Sequence, residues 1–112
     1  MDPFNKQTKI LEILCQIMYD STPEIHNESV CCFVLNLKGG WSETEFKYRV
    51  NGEYLSGLLN EEKPLQVHFL LEELHALMKA HTGGEWASFT LTLDAQGQAH
   101  VKFHYPEPTV KL

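Results

Sequence analysis

The sequence predicts an α+β fold, a single domain in which two helices pack on one face of an antiparallel four-stranded sheet. Three observations support this prediction. The chain has 112 residues, which is enough for one hydrophobic core and too few for two. Two segments repeat apolar residues with the helical period, and four segments alternate with the two-residue period of strands. The order is α-β-β-α-β-β, and residues 1–112 form one domain.

The first helix is predicted from the N-terminus to about Asp20. Asp2 and Pro3 are typical of a helix start, because proline at the first helical position needs no N–H. Pro23 ends the helix, since the residue before a proline is forced out of the helical region. The apolar stripe between these signals consists of Ile10, Leu11, Ile13, Leu14, Ile17 and Met18.

The first hairpin is predicted from strands at 29–37 and 42–51, joined by a turn at Gly39-Gly40. In its second strand, one face is predicted to be buried, namely Thr44, Phe46, Tyr48 and Val50. The alternating residues are predicted to face solvent, namely Glu43, Glu45, Lys47 and Arg49. Asn51-Gly52 is a strong turn signal, but the segment after it is assigned no secondary structure.

The second half repeats the order of helix and hairpin. A helix is predicted from Pro64 to Thr82, followed by strands at 86–94 and 98–105. Gly97 is expected to have the positive φ of a hairpin loop. The side chains expected on the core face are Ala87, Phe89, Leu91, Leu93, Ala99, Val101, Phe103 and Tyr105. The free face is expected to carry Thr90, Thr92, His100, Lys102 and His104.

Charge and cysteine content restrict the classes of function. The chain has 9 Lys and Arg against 15 Asp and Glu, a net charge of -6, which disfavours nucleic-acid binding. The longest apolar run, Val30 to Leu35, is far shorter than the roughly 20 residues of a membrane span. Cys15, Cys31 and Cys32 are odd in number, and two are adjacent, which favours reduced thiols. With no signal peptide recognised, these features predict a cytoplasmic protein.

One group of side chains has the spacing of a metal site. His68, Glu72 and His75 lie within about 60° of one another around a helix, so that a small metal-dependent hydrolase is one alternative. No further ligand is recognisable, and neither is a nucleophile elbow, a Cys/His pair or a phosphate-binding loop. We therefore expect a protein that is not an enzyme and holds no metal or cofactor.

A protein partner is the remaining expectation from composition. Trp41 is predicted to lie at the tip of the first hairpin, in a glycine-rich turn followed by Glu43 and Glu45, and large aromatic residues of this kind anchor interfaces. Trp86, in contrast, is predicted to lie in the core. The next acidic candidates for the partner surface are Glu61, Glu62, Glu72 and Glu73. Such a surface would attract a cationic protein.

The C-terminal part of the chain resembles the YezG-like family of bacterial immunity proteins. The resemblance rests on Trp86 to Gly97, which reads WASFTLTLDAQG, and on Val101 to Tyr105, which reads VKFHY. Family members likewise have a Trp, a Thr-Leu-Thr-Leu strand, an acidic turn ending in Gly and a last strand ending in Tyr. The resemblance covers about 40 residues, and over the first 60 only the order of elements matches.

The resemblance implies an antitoxin, a cytosolic protein that binds one cognate toxin and blocks it. The toxin is expected to be a nuclease, or the nuclease domain of a secreted or contact-delivered toxin. The matching residues are core positions, so the resemblance implies no binding residues. A non-enzymatic regulatory or scaffold domain that binds another protein through the free sheet face is a further alternative.

Overall fold

The computed structural model describes residues 3–23, 27–61, 65–83 and 85–105. Its elements are α1 (Pro3–Ser21), β1 (Glu28–Asn36), β2 (Trp41–Val50), β3 (Glu53–Gly57), α2 (Gln66–Thr82), β4 (Ser88–Leu93) and β5 (Ala99–His104). The five strands form one antiparallel sheet in the order β3-β2-β1-β4-β5. The α+β class and both helices are therefore confirmed, but the prediction of four strands is wrong.

The additional strand is β3, which follows the Asn51-Gly52 turn. Asn51 has φ 52° and Gly52 has φ 83°, so both residues adopt the left-handed conformation that a two-residue hairpin requires. The turn therefore returns the chain against β2, where Leu55 pairs with Tyr48 and Tyr54 pairs with Arg49. The element order is α-β-β-β-α-β-β.

Both helices pack on the same face of the sheet. Side chains along β1 alternate between buried and half-buried, so only one of its faces is fully covered. The core includes Ile10, Leu14, Ile17 and Met18 of α1, Cys31, Phe33 and Leu35 of β1, Phe46 of β2, Val67, Leu71 and Leu74 of α2, Trp86, and Phe89, Leu91 and Leu93 of β4. Neither helix of the described chain has an apolar stretch long enough to cross a membrane.

The seam between the two halves of the sheet is the pairing of β1 with β4. Cys31 lies opposite Leu91, and Phe33 lies opposite Phe89 in this ladder. The rings of Phe33 and Phe89 stack with their centroids 4.9 Å apart. The two halves of the sheet are therefore joined by the β1–β4 ladder and by the packing of these side chains, and α1 contacts both strands.

Helix α2 has a well-defined end at Gly83 and begins after a turn at Leu65. Gly83 has φ 76°, and its N–H donates to the carbonyl of Lys79 at 2.8 Å, which satisfies the last turn. At the other end the Val67 N–H donates to Glu61 Oε1 at 2.9 Å. The predicted start at Pro64, like Asp2 before α1, lies outside the described residues.

Several residues predicted to face the core are exposed. Val101 of β5 is 42% exposed, and Ala99 and Tyr105 are exposed as well, although they alternate as predicted. Ala87 and Thr44 are also exposed rather than buried. For the residues of β5 the reason is coverage: two helices, each about 10 Å across, cover the middle of a sheet whose strands are about 4.8 Å apart, and β5 lies at its edge.

The loop between β4 and β5 has the predicted conformation. Gly97 has φ 80°, which confirms the expected left-handed residue. The carboxylate of Asp94 organises the loop, since its Oδ1 accepts hydrogen bonds from the N–H groups of Gln96 and Gln98 at 3.0 and 2.9 Å. His100 Nε2 lies 3.0 Å from the other oxygen, Oδ2. The loop is therefore closed by one side chain.

Candidate functional site

The sheet face opposite the helices, which we call the open face, is a polar surface that carries three of the predicted site residues. Its centre is the half-buried stripe of Val30, Cys32 and Val34 on β1. The strand register places further residues on the same face, namely Trp41, Glu43, Glu45, Lys47 and Arg49 of β2, Ser88, Thr90 and Thr92 of β4, and His100, Lys102 and His104 of β5. The predicted free face is thus confirmed.

Trp41, Glu43 and Glu45 lie in one row on the open face. They are alternate residues of β2, opposite Asn36, Val34 and Cys32 respectively. All three are exposed, and Trp41 retains 45% of its accessible surface. Trp41 is the first residue of β2 and lies beyond the turn rather than at its tip.

The indole of Trp41 lies against the turn that precedes β2. Asn36 Oδ1 accepts a hydrogen bond from the Gly39 N–H at 2.8 Å, and the Asn36 carbonyl accepts one from the Gly40 N–H at 2.9 Å. A Cβ atom at Gly39 would lie 2.6 Å from Cδ1 and Nε1 of the indole. The ring therefore lies directly against the backbone of Gly39, and a larger residue at this position would displace it.

A shallow hollow of about 220 Å³ lies beside this row, and we call it the acidic hollow. Its lining residues are Cys32, Val34, Glu43, Thr44 and Glu45. Cys32 and Val34 give it an apolar floor, while Glu43 and Glu45 supply carboxylates at its side. This combination suits a side chain with an aliphatic stem and a cationic end.

The charges along β2 change sign from one end to the other. Glu45 is paired with Lys47, whose Nζ lies 3.0 Å from Oε1, whereas none of the described residues forms an ion pair with Glu43. Farther along, the guanidinium of Arg49 lies 5.9 Å from the centroid of the Tyr54 ring. The end of β2 near Trp41 is therefore negative, and the far end is positive.

Tyr54 belongs to the open face but was missed in the sequence, because β3 was not predicted. Its hydroxyl donates to Glu28 Oε1 at 2.6 Å, and this hydrogen bond raises the pKa of Tyr54. The Asn51-Gly52 turn was the signal that could have identified it, since this dipeptide is the strongest short indication of a hairpin. Tyr54 and Glu28 lie on either side of Arg49 at this end of the open face.

The other predicted acidic residues do not extend the row. Glu61 Oε1 accepts the hydrogen bond from the Val67 N–H, so its carboxylate is already engaged at the start of α2. Glu72 and Glu73 lie on α2, in the helix layer on the other side of the sheet. Glu62 lies outside the described residues. The structure thus brings together three of the seven predicted partner-binding residues.

The three side chains with the spacing of a metal site, which support the alternative of a hydrolase, do not come together either. His75 is only 5% exposed, and its ring packs edge-on against buried Trp86 with centroids 5.2 Å apart. His68 faces β2 instead, where Nδ1 lies 2.9 Å from Ser42 Oγ, and its Nε2 lies 3.5 Å from Glu72 Oε1. Within the described ranges no three His, Cys, Asp or Glu side chains could hold a metal ion. The burial of Trp86 confirms its predicted place in the core.

The three cysteines are free thiols in different environments. Cys31 is fully buried in the core, and burial raises its pKa strongly, with further contributions from Cys32 and Glu45. Half-buried Cys15 also has a raised pKa, caused by burial and by the neighbouring Glu12. Cys32 is half-buried at the floor of the acidic hollow. Raised thiol pKa values at Cys15 and Cys31 disfavour nucleophilic chemistry there.

Comparison with models of known protein families and with curated proteins finds no match for this sequence.

Proposed function

We propose that this chain is an immunity protein that binds a basic protein toxin and blocks it without catalysis. The observation that supports the proposal is the acidic hollow, with Glu43 and Glu45 beside an apolar floor and the exposed indole of Trp41 next to them. The toxin is a nuclease domain, and the complex forms in the cytoplasm.

A lysine or arginine of the toxin would fit the acidic hollow. Its aliphatic stem would pack on Cys32 and Val34, and its charged end would pair with Glu43, which has no ion-pair partner among the described residues. The indole of Trp41 offers a π-face at the edge of the same site. The ring lies against the backbone of Gly39 and keeps 45% of its surface exposed, so it is accessible to a partner.

The charge of the whole chain supports the same partner class. A nuclease must hold a polyanionic substrate in a cationic cleft, and an inhibitor with a net charge of -6 is attracted to that cleft. Carboxylates on a rigid strand can take the positions that phosphates would occupy. Inhibition then requires only that the sheet face covers the cleft.

The experiment that tests the proposal is coexpression with the toxin domain encoded directly beside this gene, scoring growth and copurification. We expect the wild-type chain to restore growth and to bind the toxin at a rate that falls steeply with salt. Copurification with a neighbouring protein that is not toxic would instead assign the open face to a regulatory complex.

Charge-reversal variants test whether the open face is the surface that binds the toxin. The Glu43→Lys, Glu45→Lys double variant is compared with a matched control, Glu53→Lys with Glu85→Lys, whose side chains are exposed outside the open-face row. Each reversal adds two positive charges, so both double variants have a net charge of -2 instead of -6.

We expect the open-face variant to associate at least about tenfold more slowly and the control less than about threefold more slowly. An association rate that is indifferent to salt and to reversal of every predicted acidic residue would show that an apolar surface drives binding. Those residues are Glu43, Glu45, Glu61, Glu62, Glu72 and Glu73.

A further inference from the structure

A cleft of about 870 Å³ lies on the helix side of the sheet, between α1 and β5. Residues of α1 form one wall, β4 and β5 form the floor, and the loop from Asp94 to Gly97 closes one end. We propose that this α1–β5 cleft binds an amphipathic helix of a partner protein, with an apolar stripe flanked by basic residues. The proposal does not depend on the open face or on the partner being a toxin.

The floor of the cleft is apolar, and neither of the two helices in the described part of the chain covers its outer residues on β5. Leu91 and Leu93 lie at its inner side and are buried by α1, whereas Val101 and Ala99 at its outer side remain exposed. Their alternation matches that of a core strand, yet their face has no covering layer. A helix placed here would continue the layer that α2 and α1 already form.

The wall of the cleft has the spacing at which one helix packs against another. Thr8, Leu11, Cys15 and Tyr19 follow one another at steps of three and four residues, so they form a second stripe beside the core stripe of α1. The stripe extends over about three helical turns, or roughly 16 Å. Thr8 and Cys15 are small enough to let a neighbouring helix approach closely.

The charged residues that line the cleft indicate which charges the polar side chains of the partner helix should carry. Among the fourteen described residues that line the cleft, Glu12 and Asp94 are acidic and none is Lys or Arg. Asp94 is engaged by its own loop and by His100, so Glu12 is the carboxylate that remains for a partner. Lysine or arginine at the border of the apolar stripe would therefore pair favourably.

A helix fits this place better than an added strand or a second copy of the chain. The cleft lies above β4 and β5, at the height of the helix layer, whereas a strand would lie beside β5. The free edge of β5 carries Lys102 with His100 and His104, and self-pairing there would bring these residues close together. A symmetric dimer through the cleft would bring the Glu12 carboxylates of the two copies into one interface without a cation among the described lining residues.

The probe for this site is an 18-residue amphipathic peptide with a Leu and Ala stripe flanked by lysines, and its matched control has glutamates in place of the lysines. We expect the lysine peptide to bind in the micromolar range and the glutamate peptide at least tenfold more weakly. In ¹⁵N-labelled protein, amide shifts should change along 8–19 and 91–101 and not along the row of Trp41 and Glu43.

Variants locate the binding surface. Ala99→Trp fills the cleft from an exposed edge position, and its matched control is Lys102→Trp, the same substitution on the opposite face of β5. We expect Ala99→Trp to weaken binding of the lysine peptide at least tenfold and Lys102→Trp to change its affinity less than twofold. Glu12→Lys should weaken binding about threefold or more. Circular dichroism checks that each variant is folded.

Equal binding of both peptides, shifts confined to the open face, or an unchanged affinity in Ala99→Trp would overturn the proposal. A dimer seen by light scattering that Ala99→Trp abolishes would also overturn it, since the occupant would then be a second copy of the chain. Failure here leaves charge reversal at Glu43 and Glu45 unaffected, so the two proposals are tested separately.

Discussion

Phe89 is the residue whose truncation tests the core most directly. Its side chain is fully buried and touches three other rings, those of Phe33, Trp86 and Phe103, with centroids 4.9, 5.0 and 5.0 Å away. It also lies on the seam between β1 and β4. Phe89→Ala therefore removes the contact that joins both halves of the sheet.

The size of the effect follows from this burial. Replacing a buried phenylalanine by alanine costs about 3 to 5 kcal/mol, which includes the cavity that remains. The neighbouring rings lose aromatic contacts worth about 0.5 to 1.5 kcal/mol per pair, so we expect the loss to reach at least the middle of that range, about 4 kcal/mol. Total stability of a domain is about 5 to 15 kcal/mol, so this single change removes a large part of it.

Equilibrium unfolding in urea, followed by tryptophan fluorescence, measures the loss. With a slope of about 1.5 kcal/mol per M, the midpoint of Phe89→Ala should fall by about 2 to 3 M. Phe89→Leu keeps most of the volume and should lose only about 1 to 2 kcal/mol, which gives a second measurement if the alanine variant is unfolded.

The matched control is Thr90→Ala, one residue farther along the same strand and on the open face. Its side chain is half-buried and lies 3.2 Å from His104 Nε2, so we expect a loss below about 1 kcal/mol. Equal midpoints for the alanine variants at Phe89 and Thr90 would refute the assignment of the two faces of β4.

Two further predictions concern the turns. Gly52→Ala should lower the free energy of unfolding, measured with urea, by about 1 kcal/mol. The reason is the φ of 83° at Gly52, which is unfavourable for alanine even though no atom lies within 4 Å of the added Cβ. An unchanged urea midpoint would contradict the left-handed turn. The hydrogen bonds of Asp94 with His100 and with the Gln98 N–H lower its pKa in the folded state. Their stabilisation is present above the unfolded pKa of about 3.9 and is lost as the pH falls through the folded value, so Asp94→Asn should show less loss of stability between pH 5 and pH 2.5.

Most of the fold could be predicted because burial determines the sequence pattern of the central elements. Phe89, Leu91 and Leu93 alternate with polar residues, and this alternation is what a strand covered on one face requires. β3 lacked such a signal, since Glu53 to Ser56 are all exposed and only Gly57 is half-buried. An edge strand without a covered face has no alternation to detect, and only the turn before it indicates where it lies.

The candidate site could be predicted in part for the same reason. Trp41, Glu43 and Glu45 are alternate residues, so a single strand was enough to place them on one face. The acidic hollow depends also on the small side chains of β1 opposite them, and the α1–β5 cleft depends on how far two helices reach across five strands. The hollow and the cleft both depend on how neighbouring elements pack, and the periodicity of a single segment carries no information about that packing.

The seam between β1 and β4 also determines how the chain must fold. The β1-β2-β3 meander and the β4-β5 hairpin each form from neighbours in sequence, whereas Phe33 and Phe89 meet only after more than half of the chain has been brought together. Such distant pairings carry the loop-closure entropy that slows folding. We therefore expect the docking of two locally formed halves to limit the folding rate, and we expect stabilisation of either turn to act chiefly on the rate of unfolding.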